Sequence, residues 1–197
     1  MLNKNSYVEE LNKTLNSGGV ISFVTDTVWG IGCLPNSKKG VEKIYEIKGR
    51  DKSKPLILMS NSIDNLRPYV KTIPDKAEEL INKYFPGALT LILEKSNKTP
   101  NYITSGKNTV GIRVPDNIFF NKLCCAIEGH VLATTSANLS NHPSSKTYEQ
   151  AKNSIGALVD IIFHDYGYTC HGLESTVIAM NSDFCQILRQ GAVFTED

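Results

Sequence analysis

Short β-branched runs alternate with stretches of helical spacing along this chain, and an α/β fold is the economical way to bury both kinds of element. Residues 6–16 place Val8, Leu11 and Leu15 on one helical face, and Gly18-Gly19 ends that helix. Val20 to Val24 then reads as a strand. The spacing predicts a second helix from an N-cap at Ser37 to Ile47, with Val41, Ile44 and Ile47 on its apolar face. Leu56 to Met59 is the next strand, Pro74 to Tyr84 the next helix, and Phe85 to Leu93 turns into a third strand. Thr109 to Pro115 (strand), Ile118 to Ile127 (helix) and His130 to Ala133 (strand) follow. Thr147 to Lys152 starts a helix with a capping box, Thr147 and Gln150. Val159 to Phe163, Ser175 to Met180 and Phe184 to Leu188 complete the strands. At 197 residues, with no repeat, low-complexity tract or linker, the expectation is one domain over residues 1–197 built on a mixed sheet.

Lys48 to Lys54 packs four cations into seven positions at the end of the second helix. Such charges repel one another unless they face an anion. With Gly49 between them to let the backbone turn, Lys48 and Arg50 could grip one polyphosphate from two sides, Arg as a planar fork and Lys as a point charge. A solvated basic surface is the plainer reading of a lysine run. Pro55 and the apolar run after it favour a positioned loop, because they fix it against a buried strand. The helix C-terminus disfavours phosphate, so any binding energy must come from the side chains.

Elsewhere the chain is not basic: its formal net charge is +1, while Lys38 to Lys54 alone carries a local +4, seven basic residues against Glu42, Glu46 and Asp51. The five cysteines are scattered with no C-x-x-C spacing, so reduced thiols are expected rather than a disulfide framework or zinc knuckle. No apolar run reaches the roughly 18 residues a membrane span needs, and the start lacks a signal peptide's apolar core, so a cytoplasmic location is expected. There is no G-x-S-x-G elbow and no H-E-x-x-H pair. Ser105-Gly106-Lys107 lacks the upstream glycine and following Ser/Thr of a Walker A loop, and Lys95 to Asn108 reads as a solvated connection or a lid. Thr25 to Gly32 reads equally as a ligand-approach segment or a tight turn with a buried Trp29. Thr134 to Asn138 follows a strand, where ligands gather in α/β proteins, though it would equally cap a helix. Arg113, alone in an apolar strand, is either at the strand's mouth, paired with an acid, or waiting for a carboxylate or phosphate. Hydroxyls, amides, Lys and Arg together suit phosphoryl or nucleotidyl transfer, which needs positioning and charge neutralisation more than covalent help.

Seven segments, in order, resemble the signatures of the YrdC/Sua5/TsaC family, the threonylcarbamoyl-AMP synthases. They are Thr25-Asp26-Thr27-Val28-Trp29-Gly30-Ile31-Gly32, Lys48-Gly49-Arg50 with Lys54-Pro55-Leu56, Pro86-Gly87-Ala88-Leu89-Thr90, Gly111-Ile112-Arg113-Val114-Pro115, Thr135-Ser136-Ala137-Asn138, Ser175-Thr176-Val177 and Arg189-Gln190-Gly191. Val24, Trp29 and Ala88 depart from the family pattern. Six residues follow Gly191, so the short form without the extra C-terminal domain is expected.

The resemblance implies a twisted mixed sheet with helices around a large basic cavity. It also implies a nucleotidyltransferase that converts L-threonine, bicarbonate and ATP to threonylcarbamoyl-AMP and pyrophosphate, the first step of N6-threonylcarbamoyladenosine formation in tRNA. By motif, Lys48 and Arg50 would hold the phosphates with Lys52 nearby. Ser136 and Asn138 would face the phosphates or their Mg²⁺, without a dedicated protein cage for the metal. Thr109, Ser144 and Arg189 would line the nucleotide, and Thr25, Arg113, Thr134 and Ser175 would hold threonine. Alanine at Lys48 or Arg50 is expected to abolish pyrophosphate release and leave the fold intact. A downstream tRNA threonylcarbamoyl transferase complex would take the product. The alternatives are an RNA-binding module of the same fold and a carbamoyl-handling relative.

Overall fold

The computed structural model describes residues 4–193. Strands β1 (Ile21–Phe23), β2 (Gly30–Cys33), β3 (Ile57–Ser60), β4 (Leu89–Glu94), β5 (Thr109–Arg113), β6 (Val131–Ser136), β7 (Ile161–Ile162), β8 (Thr176–Met180) and β9 (Cys185–Arg189) form one sheet. Their order is β7-β1-β2-β6-β3-β5-β4-β8-β9, with β1/β7, β3/β5 and β4/β8 parallel and the other neighbours antiparallel. The expected mixed sheet is therefore present.

Helices α1 (Lys4–Asn16), α2 (Lys38–Lys48), α3 (Ile63–Leu66), α4 (Asp75–Tyr84), α5 (Asn101–Thr104), α6 (Ile118–Ala126) and α7 (Tyr148–Ala151) flank it. On one side Val41, Ile44 and Ile47 of α2 and Ala77 and Ile81 of α4 pack with Ile31, Leu58, Leu91, Ile112 and Ala133 of the sheet. On the other, Leu11 and Leu15 of α1 and Phe120, Leu123 and Cys124 of α6 cover Ile21, Phe23, Met59 and Leu132. Each Val, Leu, Ile, Phe or Met side chain among them contributes about 1.5–3 kcal/mol on full burial. Helices α1 and α6 cover only part of the second face.

Local signals account for most boundaries. The Ser37 hydroxyl accepts from the Gly40 N–H at 3.0 Å, starting α2 as its sequence indicates. Gly49 ends it in the left-handed region, φ 55, with its N–H donating to Glu46 O and the Arg50 N–H to Tyr45 O. Nothing lies within 4 Å of where a Cβ would stand at Gly49. Gly49→Ala should therefore cost backbone strain alone, about 1 kcal/mol, readable as a lower denaturation midpoint with an unchanged slope.

Several elements differ from expectation. Gly30–Cys33 is a strand of its own, because pairing with both β1 and β6 outweighs the poor strand propensity of its glycines. The ring of Phe23 fills the space a Cβ at Gly30 would need, at 2.8 Å. Residues 95–108 are a solvated connection only in part. Thr99, Ile103 and Thr104 are buried, Ile103 O accepts from the Leu56 N–H, and the Tyr102 hydroxyl donates to Pro35 O. The helix after Thr147 is one turn of α-helix that runs on into a π-helical turn, Lys152–Gly156. Of Val159 to Phe163 only two residues pair as a strand.

Candidate active site

Strand register builds the site. Ser136 stands opposite Gly30, Thr134 opposite both Gly32 and Ile57, and Met59 opposite Arg113. Thr90, one step beyond the Leu91–Ile112 pair, stands opposite Val177, which stands opposite Arg189. Directly paired residues share a face, so side chains from six adjacent strands, β6 through β9 in sheet order, project to one side, with the glycines of β2 beside them. That is the face α1 and α6 leave partly uncovered. The loop from Thr25 to Trp29, Arg50, Pro55 and Glu174 wall it in, leaving a hollow of about 280 Å³. The volume lies near the lower end for small-ligand sites.

Arg113 sits at the floor, 2% exposed. Its Nη2 donates to Asp26 Oδ1 at 2.5 Å, Nη1 to Thr27 Oγ1 at 2.8 Å and Nε to Gly87 O at 3.0 Å. Burial pulls its pKa down, and the Asp26 carboxylate opposes that pull. Three of its five N–H groups are thus taken, leaving one on each terminal nitrogen. Thr25 braces the same loop: its hydroxyl donates to Val28 O at 2.6 Å and accepts from the Thr27 N–H. Trp29, 1% exposed, lines the hollow while its backbone bonds Ser145 and Ala137, so the buried-tryptophan turn and the ligand wall are one structure.

Lys48 and Asn138 lie behind this wall. The Lys48 ammonium donates to Ser136 O and Asn138 O, each at 2.5 Å, and reaches Asn138 Oδ1 at 3.4 Å. The Asn138 amide donates to Leu139 O and His142 O. Both side chains therefore hold the turn that presents Ser136, whose hydroxyl faces the hollow. Lys48 is 2% exposed, so alanine there removes a structural post, and the expectation that it would leave the fold untouched is corrected. Burial, then the nearby Arg50 charge, lowers the Lys48 pKa from 10.5 to about 7, with Glu174 opposing.

Between those two values the unfolded chain binds more protons at this residue than the folded one. Stability should then rise with pH across the window. The expected outcome is that the unfolding free energy of the wild type gains on that of Lys48→Met between about pH 7 and pH 9 in parallel denaturant titrations. A constant difference would contradict the depressed value.

Arg50, partly exposed, lines the hollow and donates to Lys54 O (3.1 Å) and Pro55 O (3.0 Å). Across from it, Arg189 donates through Nε and Nη2 to Ser175 O and through Nη2 to Ser175 Oγ, and its Nη1 pairs with the Glu174 carboxylate. The Ser144 hydroxyl donates to Glu174 Oε1 at 2.6 Å, and Ser175 Oγ lies 2.9 Å from Thr90 Oγ1.

Of the residues singled out from sequence, Thr25, Arg50, Arg113, Thr134, Ser136, Ser175 and Arg189 line one hollow. Lys48, Asn138 and Ser144 are attached to it through the bonds above. Lys52 and Thr109 are not brought to it: both are exposed, and Thr109 lies four residues, about 13 Å, along β5 from Arg113. Sequence reasoning missed Glu174, Thr90 and the role of Asp26. A lone arginine in an apolar strand was the one signal that an acid had to be near. Among the described residues no group of three or more His, Cys, Asp or Glu could hold a metal ion.

The partly uncovered face of this open α/β sheet gathers three guanidinium groups and several hydroxyls, a donor set suited to an anionic ligand. Residues 13–191 match the Sua5/YciO/YrdC family, described as "Telomere recombination", and the chain belongs to that family. It is 36% identical over 184 residues to the threonylcarbamoyl-AMP synthase of Pyrococcus abyssi, covering 93% of this chain and 53% of that protein. Against the threonylcarbamoyl-AMP synthase of Vibrio campbellii it is 32% identical over 185 residues, covering 93% of this chain and 98% of that protein. The solved structure of P. abyssi Sua5 complexed with L-threonine superposes with a TM-score of 0.86 at 34% identity, covering 93% of this chain and 54% of that chain. This chain thus spans about half the length of the archaeal relative.

Proposed function

We propose that this chain makes threonylcarbamoyl-AMP and pyrophosphate from L-threonine, bicarbonate and ATP. The observation that carries the reading is the convergence of Arg50, Arg113 and Arg189, from three separate parts of the chain, on one hydroxyl-lined hollow. Support also comes from the relatives' names and from the complex of the archaeal relative with L-threonine.

Arg113 has two free N–H groups for the threonine carboxylate, with Thr25, Thr90, Thr134 and Ser175 around it. Bicarbonate takes up a proton and loses its hydroxyl as water to give CO₂; the neutral amine attacks that carbon, a C–N bond forms as a C=O electron pair moves to oxygen, the nitrogen gives up a proton to solvent, and a carbamate results. A carbamate oxygen then attacks the α-phosphorus of ATP. The new O–P bond forms as the bond to pyrophosphate breaks. Two anions meet in that step, so Arg50 and Arg189 act by lowering their repulsion and holding them in line.

Mg²⁺ enters with ATP as part of the substrate and neutralises phosphate charge. The Ser136 hydroxyl, a hard oxygen donor facing the hollow, fits a phosphate oxygen or that ion. In this reading the product passes to a tRNA threonylcarbamoyl transferase complex in the cytoplasm. No helix among the described residues is long and apolar enough to cross a membrane. Incubation with ATP, Mg²⁺, bicarbonate and labelled threonine tests the proposal. The expected product is an adenylate whose formation requires threonine and bicarbonate; ATP turnover indifferent to threonine contradicts it.

A further inference from the structure

Two carboxylate–guanidinium pairs border the hollow, and they differ in access to water. Asp26 and Arg113 are sealed, with side chains 4% and 3% exposed. Glu174 and Arg189 are 36% and 44% exposed. Truncating one partner of the sealed pair would strand the other charge in the interior, whereas an exposed pair is worth little and opens readily.

Glu174 is the one carboxylate among the residues that line the hollow. It takes the single proton of the Ser144 hydroxyl on Oε1 and an Arg189 Nη1 proton on Oε2. The other Arg189 bonds go to Ser175 through Nε and Nη2, so one N–H remains on that guanidinium. The Ser144 hydroxyl and one Arg189 N–H, donors that could serve a phosphate, are therefore already answered by an anion of the protein's own. Ser144 comes from the loop after β6, Glu174 from the loop before β8 and Arg189 from the end of β9, so the carboxylate also ties three segments together.

We propose that Glu174 is an exchangeable internal anion, a positioning residue that keeps the Ser144–Arg189 fork organised and that the phosphates of ATP displace when they bind. The inference rests on the nucleotide reading given above. Competition of this kind sets affinity for both the entering triphosphate and the leaving pyrophosphate, and it leaves the threonine subsite alone.

The test is calorimetric titration of wild type, Glu174→Gln and Glu174→Asp with ATP·Mg²⁺, with pyrophosphate and with L-threonine, each variant first checked by thermal melting. Removing the charge in Glu174→Gln should tighten ATP and pyrophosphate on the order of 3- to 10-fold and leave threonine within about 2-fold. The shorter Glu174→Asp keeps the charge and should fall between the two for ATP. Unchanged or weaker ATP binding by a folded Glu174→Gln, with wild-type binding intact, overturns the proposal alone. Failure of the wild type to bind ATP overturns both this inference and the nucleotide reading beneath it.

Discussion

Replacing Arg113 by Met is expected to destabilise the fold by about 3–5 kcal/mol, because Asp26 would be left as a buried carboxylate without a partner. The guanidinium ties β5 to the Thr25–Trp29 loop through Asp26 and Thr27, and to the turn before β4 through Gly87 O. Losing it loosens the wall and the floor together. The double variant Asp26→Asn/Arg113→Met removes both charges and should recover part of the loss. Urea titration of the two variants and the wild type measures the difference directly. A loss below about 1 kcal/mol for Arg113→Met would mean that the pair does not hold the hollow together.

Arg50→Ala is expected to act on the opposite quantity. Its bonds to two backbone carbonyls lie within its own loop, its further partners Tyr45 and Asp51 are near in sequence, and the side chain is partly exposed, so the fold should change by about 1 kcal/mol at most. Pyrophosphate release should fall by roughly 10²- to 10³-fold, the cost of removing one preorganised donor from developing charge. A coupled phosphate assay together with a melting curve reads both quantities. Lys48 belongs in a different class despite sitting two residues away, since its ammonium is engaged by Ser136 and Asn138. Activity retained by Arg50→Ala would move the phosphates away from this arginine.

Most of the fold was legible because its signals are local. The Ser37 cap, the left-handed Gly49 and the α2 stripe of Val41, Ile44 and Ile47 are each written within a dozen residues. The strand Gly30–Cys33 was not legible, since glycines join a sheet there only because two neighbours pair with them. The burial of Thr99, Ile103 and Thr104 was hidden for a similar reason: their partners lie far along the chain, beside Leu56 and Tyr69. In the site, residues inside motif-like stretches could be found. Glu174 could not, because nothing near it distinguishes a carboxylate that faces Arg189 from one that faces solvent. Nor does any pattern separate Arg50, which lines the hollow, from Lys48, which lies behind it; the Lys48 contacts that decide this are with Ser136 and Asn138, far along the chain.

The most direct test of the central claim, that amino acid and triphosphate meet on this one face of the sheet, is a backbone amide NMR titration with L-threonine followed by a non-hydrolysable ATP analogue. The expected result is that threonine perturbs the amides around Thr25, Thr90, Arg113 and Ser175, and that the analogue adds Arg50, Ser136 and Arg189. Perturbations confined to a different surface, such as the hollow lined by Tyr7 and Val8 of α1 and Phe119 and Lys122 of α6, or an analogue that binds far from the threonine-sensitive amides, would contradict it.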